Sequence, residues 1–103
     1  MKKKSPRTER RERERAAVKL AKQRERLATL EEGGLPERPI VVESASQVEV
    51  HARSMPCARC GGSLALTEHV AQTIDGARLR IARMTCAACG ARRSIYFRLV
   101  PMN

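Results

Sequence analysis

Aromatic side chains are almost missing from this chain of 103 residues, which has one Tyr, one Phe and no Trp. Aromatic residues usually supply much of the buried area of a core. A chain of this length forms one small domain at most, and domains below roughly 70 residues usually need a metal, disulfides or a partner for stability. The composition therefore excludes a large core, and the folded domain needs another source of stability.

Long apolar runs are missing as well. No segment approaches the ~20 apolar residues of a membrane span, and the charged sequence after Met1 contains no apolar run of the length that a signal peptide needs. We therefore expect a cytoplasmic protein with no membrane partner. The sequence also shows no phosphate-binding loop, carboxylate dyad or nucleophile with a base. We expect a protein that is not an enzyme and has no small-molecule substrate.

The four cysteines form two Cys-x-x-Cys pairs, each followed directly by glycine: Cys57 with Cys60, and Cys86 with Cys89. Two such turns supply four thiolates in the tetrahedral arrangement that Zn²⁺ prefers. Four protein ligands close the coordination shell and leave no place for an activated water, so the predicted zinc site is structural. Cytoplasmic thiols stay reduced, which favours metal binding. Iron, a redox dithiol and two disulfides are the alternatives.

The net charge of +10 is concentrated at the two ends of the chain. Lys and Arg against Asp and Glu number 12 and 6 in residues 1–32, 2 and 3 in residues 33–56, and 7 and 2 in residues 57–103. So basic a chain attracts polyanions, of which nucleic acid is the commonest in the cytosol. The alternative is a charge excess that keeps a protein-binding module soluble.

Residues 1–32 are predicted to be a basic helical extension. Ser5 and Pro6 are residue types typical of a helix N-cap and first turn. Good helix formers follow, and two glycines and a proline mark the end of the predicted helix. The helix carries a narrow apolar stripe, the candidate docking surface for a protein partner: Leu20, Leu27 and Leu30. The stripe is shorter than the three or four heptads of a coiled coil. The alternative is a solvated, partly helical tail.

Residues 33–46 are predicted to be a flexible linker, in which the short run 40–42 can pair as an edge strand. In the predicted domain, residues 47–103, alternating apolar positions indicate a strand over 47–53 that leads into the first cysteine pair. A hairpin follows over 64–74 and 77–85, turning at Asp75-Gly76. A last strand runs to about Val100. The predicted architecture is three antiparallel strands held at one end by a metal.

This arrangement resembles the zinc ribbon family over about residues 47–100, through the four cysteines, Gly61, Gly90 and the hairpin between the pairs. The resemblance implies a small metal-stabilised β fold, a three-stranded antiparallel zinc ribbon with one structural Zn²⁺ on the four cysteines. Zinc ribbons occur in transcription elongation factors, RNA polymerase subunits, ribosomal proteins and DNA-processing enzymes, so the family implies fold more strongly than function. The elongation-factor type carries an Asp-Glu pair at the hairpin tip. Here Asp75 stands alone, so transcript cleavage is not expected.

The basic residues of the predicted strands indicate a nucleic-acid-binding surface. Its candidates are Arg78, Arg80, Arg83, Arg92, Arg93, Tyr96 and Arg98. Guanidinium groups donate paired hydrogen bonds to phosphate, and a tyrosine ring can stack on a base. We expect phosphate-driven binding with weak sequence specificity, to nucleic acid or within a ribonucleoprotein or transcription complex. The alternatives are solvated arginines with Tyr96 covering the sheet edge, and an adaptor that docks a protein through the N-terminal helix. Both histidines, His51 and His69, have the pattern of surface residues.

Overall fold

The structure is a computed structural model that describes residues 5–100; residues 1–4 and 101–103, the outer ends of the predicted extension and domain, lie outside the described part. The elements are α1 (Pro6–Leu30), β1 (Ile40–Val42), α2 (Ala45–Ser54), β2 (Leu64–Ile74), β3 (Ala77–Cys86) and β4 (Arg92–Leu99). The strands form one sheet in the order β1-β4-β3-β2. β1 is parallel to β4, and the other pairs are antiparallel.

Helix α1 begins where the sequence predicts it. The Ser5 side chain accepts a hydrogen bond from the Thr8 N–H at 3.2 Å, and Pro6 stands at the first position, where its missing N–H is not needed. At the other end, the Arg38 guanidinium donates to the Leu30 carbonyl at 2.5 Å. Most of α1 is exposed, and Ala28 is its buried residue. Neither helix in residues 5–100 is long and apolar enough to cross a membrane.

The segment predicted as a linker contributes a strand to the sheet. Residues 40–42 form β1 beside β4, with Ile40 opposite Phe97. Just before it, Gly33 accepts a hydrogen bond from the Tyr96 N–H at 2.8 Å and donates one to the Arg38 carbonyl at 2.6 Å. Gly33 has φ +86°, and a Cβ there would lie 2.5 Å from Ile40 Cδ1, so only glycine fits. Residues 33–42 are therefore held against the edge of β4.

The strand predicted over residues 47–53 is wrong, because these residues lie in helix α2. The apolar positions Val48, Val50 and Ala52 alternate, but Val48 and Ala52 are also four residues apart and share one side of a helix. Both are fully buried against the sheet, whereas Val50 is 69% exposed. One face of the sheet needs an apolar cover, and a helix provides it while satisfying its own backbone hydrogen bonds.

The predicted three-stranded antiparallel ribbon is wrong as well, since the sheet has four strands and is mixed. The hairpin itself is confirmed: β2 and β3 pair along their length, and the turn residues Asp75 and Gly76 have φ of +49° and +80°. Two positive φ values are typical of the two-residue turns that match strand twist. The fourth strand, β1, extends the sheet because Ile40 and Val42 complete its apolar side next to Phe97.

The sheet buries residues on both sides. We call the side covered by α2 the helix face and the opposite side the outer face. The core on the helix face comprises Ile40, Val42, Leu64, Ala82, Met84, Ile95 and Phe97, with Val48 and Ala52 from α2. On the outer face Leu79 and Ile81 are also buried. Pro36 and Pro39 line a cavity beside Leu79, so the segment before β1 lies along this face.

Val48→Ala is expected to destabilise the protein by about 2 kcal/mol, because it removes two buried carbon groups and leaves a cavity. Val50→Ala makes the same change two residues away on the exposed side of α2, and is expected to be neutral or slightly stabilising. Denaturant unfolding of both variants measures the difference. Equal destabilisation would contradict the helix, because Val48 and Val50 would share a face only in a strand.

Candidate metal centre

The two Cys-x-x-Cys segments form the same local turn, which we call the first knuckle (residues 57–62) and the second knuckle (residues 86–91). In the first, the Cys57 N–H donates to the Gly62 carbonyl at 2.9 Å, and the Gly61 N–H donates to the Cys57 carbonyl at 2.8 Å. The second knuckle repeats both bonds at 2.8 and 3.0 Å. Gly61 and Gly90 have φ of +78° and +76°, a conformation that glycine adopts without strain.

The sheet brings the two knuckles together. The first knuckle leads into β2, and the second begins at Cys86, the last residue of β3. Leu64 at the start of β2 pairs with Cys86, and the Ala87 N–H donates to the Ser63 carbonyl at 3.0 Å. Antiparallel pairing therefore places two turns that are far apart in the sequence side by side.

The four sulfurs form a cluster with the dimensions of a metal site. Cys57 Sγ lies 3.7 Å from Cys89 Sγ, and Cys60 Sγ lies 3.4 Å from Cys86 Sγ. All four sulfurs lie within 4.8 Å of one another, and all four cysteines are free of disulfides. Four sulfurs bound to one Zn²⁺ at about 2.3 Å have tetrahedral edges of about 3.8 Å. The cluster therefore fits one tetrahedral ion.

Hydrogen bonds within the cluster shift the pKa values of two thiols in opposite directions. The Cys89 N–H, 3.5 Å from Cys86 Sγ, lowers the pKa of Cys86 to about 6. The Gly62 N–H, 3.4 Å from Cys60 Sγ, also lowers the pKa of Cys60, but hydrogen bonds with the sulfurs of Cys86 and Cys89 outweigh it and raise that pKa to about 12. Thiols this close do not all ionise together without a cation among them. The donor set therefore favours a bound metal ion.

Gly62 holds a position where a side chain would push the knuckles apart. A Cβ there would lie 3.0 Å from Ala88 Cβ, 3.2 Å from Cys86 Sγ and 3.3 Å from Cys60 Sγ. These contacts are closer than ordinary van der Waals distances. The second glycine after the first cysteine pair is therefore needed for the close approach of the sulfurs.

The histidines stand apart from the cluster. The exposed His51 lies edge-on to the Phe97 ring, with centroids 5.7 Å apart. His69 Nδ1 lies 3.6 Å from a Glu49 carboxylate oxygen, and the His69 side chain is only 15% exposed. The interpretation of His69 as a surface histidine is therefore wrong, because α2 covers it.

The arginines predicted to form one nucleic-acid-binding surface lie on two faces of the sheet. Residues paired across strands share a face, and side chains alternate along each strand. Arg83 pairs with Ser94 and lies on the outer face, while Arg80 pairs with the core residue Phe97. The outer face carries Arg83, Arg92, Tyr96 and Arg98, and the helix face carries Arg78, Arg80 and Arg93. The adjacent positions of Arg92 and Arg93 already show that both cannot face one way.

Two ion pairs change the charge that these surfaces present. On the outer face, Arg83 Nη1 lies 2.8 Å from Glu68 Oε2, which partly neutralises Arg83. Arg59, inside the first cysteine pair, lies 3.5 Å from a Glu25 oxygen of α1. Arg59 was not among the residues predicted from the sequence, where its only signal is a charge between two cysteines. Its ion pair joins α1 to the first knuckle.

The leucines of the predicted docking surface are exposed on α1. Leu20, Leu27 and Leu30 are 47%, 61% and 56% exposed. The side of α1 that faces the domain carries Ala21, Glu25 and Ala28 instead, which are partly or fully buried. The leucine stripe is therefore solvent-exposed in this structure.

Comparisons with protein-family models, with curated proteins and with solved structures found no match to this chain. The paired knuckles and the spacing of the four sulfurs are compatible with a zinc ribbon. They define a small protein with a four-stranded mixed sheet and a four-cysteine site able to bind a metal ion.

The purified protein is expected to contain one metal ion per chain, and chelation is expected to unfold the sheet, because metal binding is a large share of the folding energy of so small a domain. Cys57→Ser is expected to have the same effect, whereas Ser63→Ala, beside the first knuckle, keeps the metal. Metal analysis and circular dichroism test both. A chelated sample that keeps its strand signal and a cooperative melt would contradict a structural metal.

Proposed function

We propose that this is a non-enzymatic protein with one structural zinc that binds nucleic acid mainly through phosphate contacts, alone or within a ribonucleoprotein or transcription complex. The observation that carries this proposal is the exposed basic helix α1. Residues 6–30 contain nine Lys or Arg and four Glu, and nearly all of these side chains are exposed. The molecule measures 71 × 24 × 16 Å, so α1 reaches well beyond the sheet. A projecting basic helix suits the backbone of a polyanion.

Zinc is the metal we assign to the cysteine cluster. Four thiolates at tetrahedral spacing suit a soft or borderline cation, and a site closed by four protein ligands is typical of structural zinc. When bound, zinc would join the first knuckle to the ends of β3 and β4 and supply no reactive water. The non-enzymatic proposal rests on this closed ligand set.

The outer face offers a second contact region. Arg92, Tyr96 and Arg98 lie on this face of β4 at alternate positions, with Ser94 between Arg92 and Tyr96. Arg92 and Arg98 are exposed and Tyr96 is partly exposed. Alternate positions on a strand are about 7 Å apart, so both guanidinium groups and the ring are available to one extended ligand. With a single tyrosine, stacking contributes little sequence readout.

The test is binding of the zinc-loaded protein to a labelled RNA and a labelled DNA duplex across a salt series. Affinity is expected to fall steeply with salt, because phosphate contacts release counterions. Arg11→Gln with Arg15→Gln is expected to weaken binding to every sequence and to reduce the salt slope by roughly one for each lost phosphate contact.

Glu14→Gln is the matched control for this experiment. It removes one exposed acid from the same helix and one weak pair with Arg10, at 3.8 Å, so binding is expected to strengthen slightly. Glutamine is a good helix former, so each of these variants keeps α1. Affinity that changes with neither salt nor these substitutions would count against nucleic acid as the ligand.

A second candidate function, docking of a protein partner, is favoured by the exposed leucine stripe of α1. Lys19, Arg24 and Arg26 surround it, so the partner surface would be apolar and acidic. The triple variant Leu20→Ala, Leu27→Ala and Leu30→Ala keeps helix propensity.

If α1 serves phosphate contacts alone, the triple variant is expected to bind RNA and DNA like the wild type. If α1 docks a protein, proteins that co-purify with the wild type at high salt are lost from the triple variant. The two results separate the functions because apolar docking survives salt that removes phosphate contacts.

A further inference from the structure

A cavity of about 230 Å³ lies between the last turns of α1, the first knuckle and the first half of β4. Three arginines line it, one from the knuckle and two from the strand: Arg59, Arg92 and Arg93. Thr29, Ser94 and Tyr96 add hydroxyl groups. Of the four cysteines, Cys57 lines the cavity and the other three do not.

Among the described strands, none pairs with the edge of β4 next to this cavity. β1 pairs with β4 only at residues 97–99, and the Tyr96 N–H donates its hydrogen bond to the Gly33 carbonyl. Ser94, two residues earlier, directs its N–H to the same edge because backbone groups alternate along a strand. No residue in the described range 5–100 accepts this N–H. The cavity therefore has a backbone donor as well as charged side chains.

Arg93 supplies the second unpartnered donor. Its Nη2 is buried and has no hydrogen-bond partner among residues 5–100. A buried N–H without an acceptor costs free energy, so a ligand oxygen that reached Arg93 Nη2 would stabilise the folded state. Arg92 and Arg93 both line the cavity and, as neighbours on β4, leave the strand on opposite faces of the sheet.

The charge balance favours an anionic ligand. Glu25 is the carboxylate of the lining, and it is already paired with Arg59 at 3.5 Å. The C-terminal carbonyls of α1 also oppose an anion. Three guanidinium groups against one carboxylate still leave the cavity positive. The planar fork of arginine matches phosphate oxygens with two parallel hydrogen bonds.

We propose that this cavity binds a single phosphate group, held by Arg93, Arg92 and the Ser94 N–H. The proposal rests on the proposed function, in which that phosphate belongs to the nucleic acid. An acidic peptide added as a strand fits less well, because the free edge spans only residues 92–95 and Gly33 closes one end. Three ligands offer the same phosphate oxygens to this cavity: a terminal phosphate, an internal phosphodiester and free phosphate. The experiment below distinguishes them.

The experiment uses the full-length, zinc-loaded protein and three probes: an oligonucleotide with a 5′-phosphate, the same oligonucleotide with a 5′-hydroxyl, and inorganic phosphate. Arg93→Gln is expected to weaken binding roughly tenfold, because a charge-assisted contact to phosphate is lost. Arg53→Gln is the matched control. It removes the same charge from an exposed position on α2 that does not line the cavity, and it is expected to have much less effect.

Thermal unfolding distinguishes phosphate binding by Arg93 from a structural role of its side chain. Because no residue of 5–100 pairs with Arg93 Nη2, Arg93→Gln is expected to leave the melting temperature unchanged or to raise it. Inorganic phosphate is expected to raise the melting temperature of the wild type, and of Arg53→Gln, above that in chloride at equal ionic strength, but not that of Arg93→Gln.

The outcomes distinguish the ligand sources. If Arg93→Gln weakens binding of the 5′-phosphorylated oligonucleotide only, the bound group is a terminal phosphate. If it weakens binding of both oligonucleotides equally, the bound group is an internal phosphodiester. If Arg93→Gln changes only the rise in melting temperature with inorganic phosphate, the ligand is free phosphate. That last result would also refute the nucleic-acid function if neither oligonucleotide binds the wild type. The cavity proposal is overturned if Arg93→Gln matches Arg53→Gln with every probe.

Discussion

The approach of four cysteine sulfurs to within bonding distance of one ion is the constraint on which the fold depends. Thiolates at such distances repel one another, and a metal ion bound among them would convert that repulsion into a link between the first knuckle and the ends of β3 and β4. The aliphatic core with Phe97 at its centre is small, so this link would supply stability that a larger core otherwise provides. Gly62 makes the approach possible by leaving space between the knuckles.

The sheet also decides how the positive charge is presented. Alternation along β3 and β4 divides the arginines between two faces, and the ion pair with Glu68 reduces the charge that Arg83 contributes. The larger exposed charge lies on α1, which extends away from the sheet. An extended basic helix and a small basic cavity at its base together suit a long polyanion better than a compact ligand. This division of charge is the physical basis of the proposed function.

Much of the local structure was predictable from the sequence. The cap at Ser5, the turn at Asp75-Gly76 and the two knuckles each depend on residues within a few positions of one another, so sequence spacing contains the information. The grouping of the cysteines into one site was also predictable, because a hairpin between the pairs returns the chain to its starting point. The division of the arginines between the two faces was not predicted, since it depends on strand register.

By itself the sequence determined the four-cysteine set, the helix start and the hairpin, because these follow from short-range hydrogen bonds and backbone preferences. The spacing of Val48 and Ala52 fits a strand as well as a helix, and only the packing of this segment on one face of the sheet selects the helix. Tertiary structure also decided that β1 joins β4 in parallel and that Arg93 Nη2 is buried with no partner among residues 5–100. Those features depend on contacts between segments distant in the chain, where burial and not local preference selects the conformation.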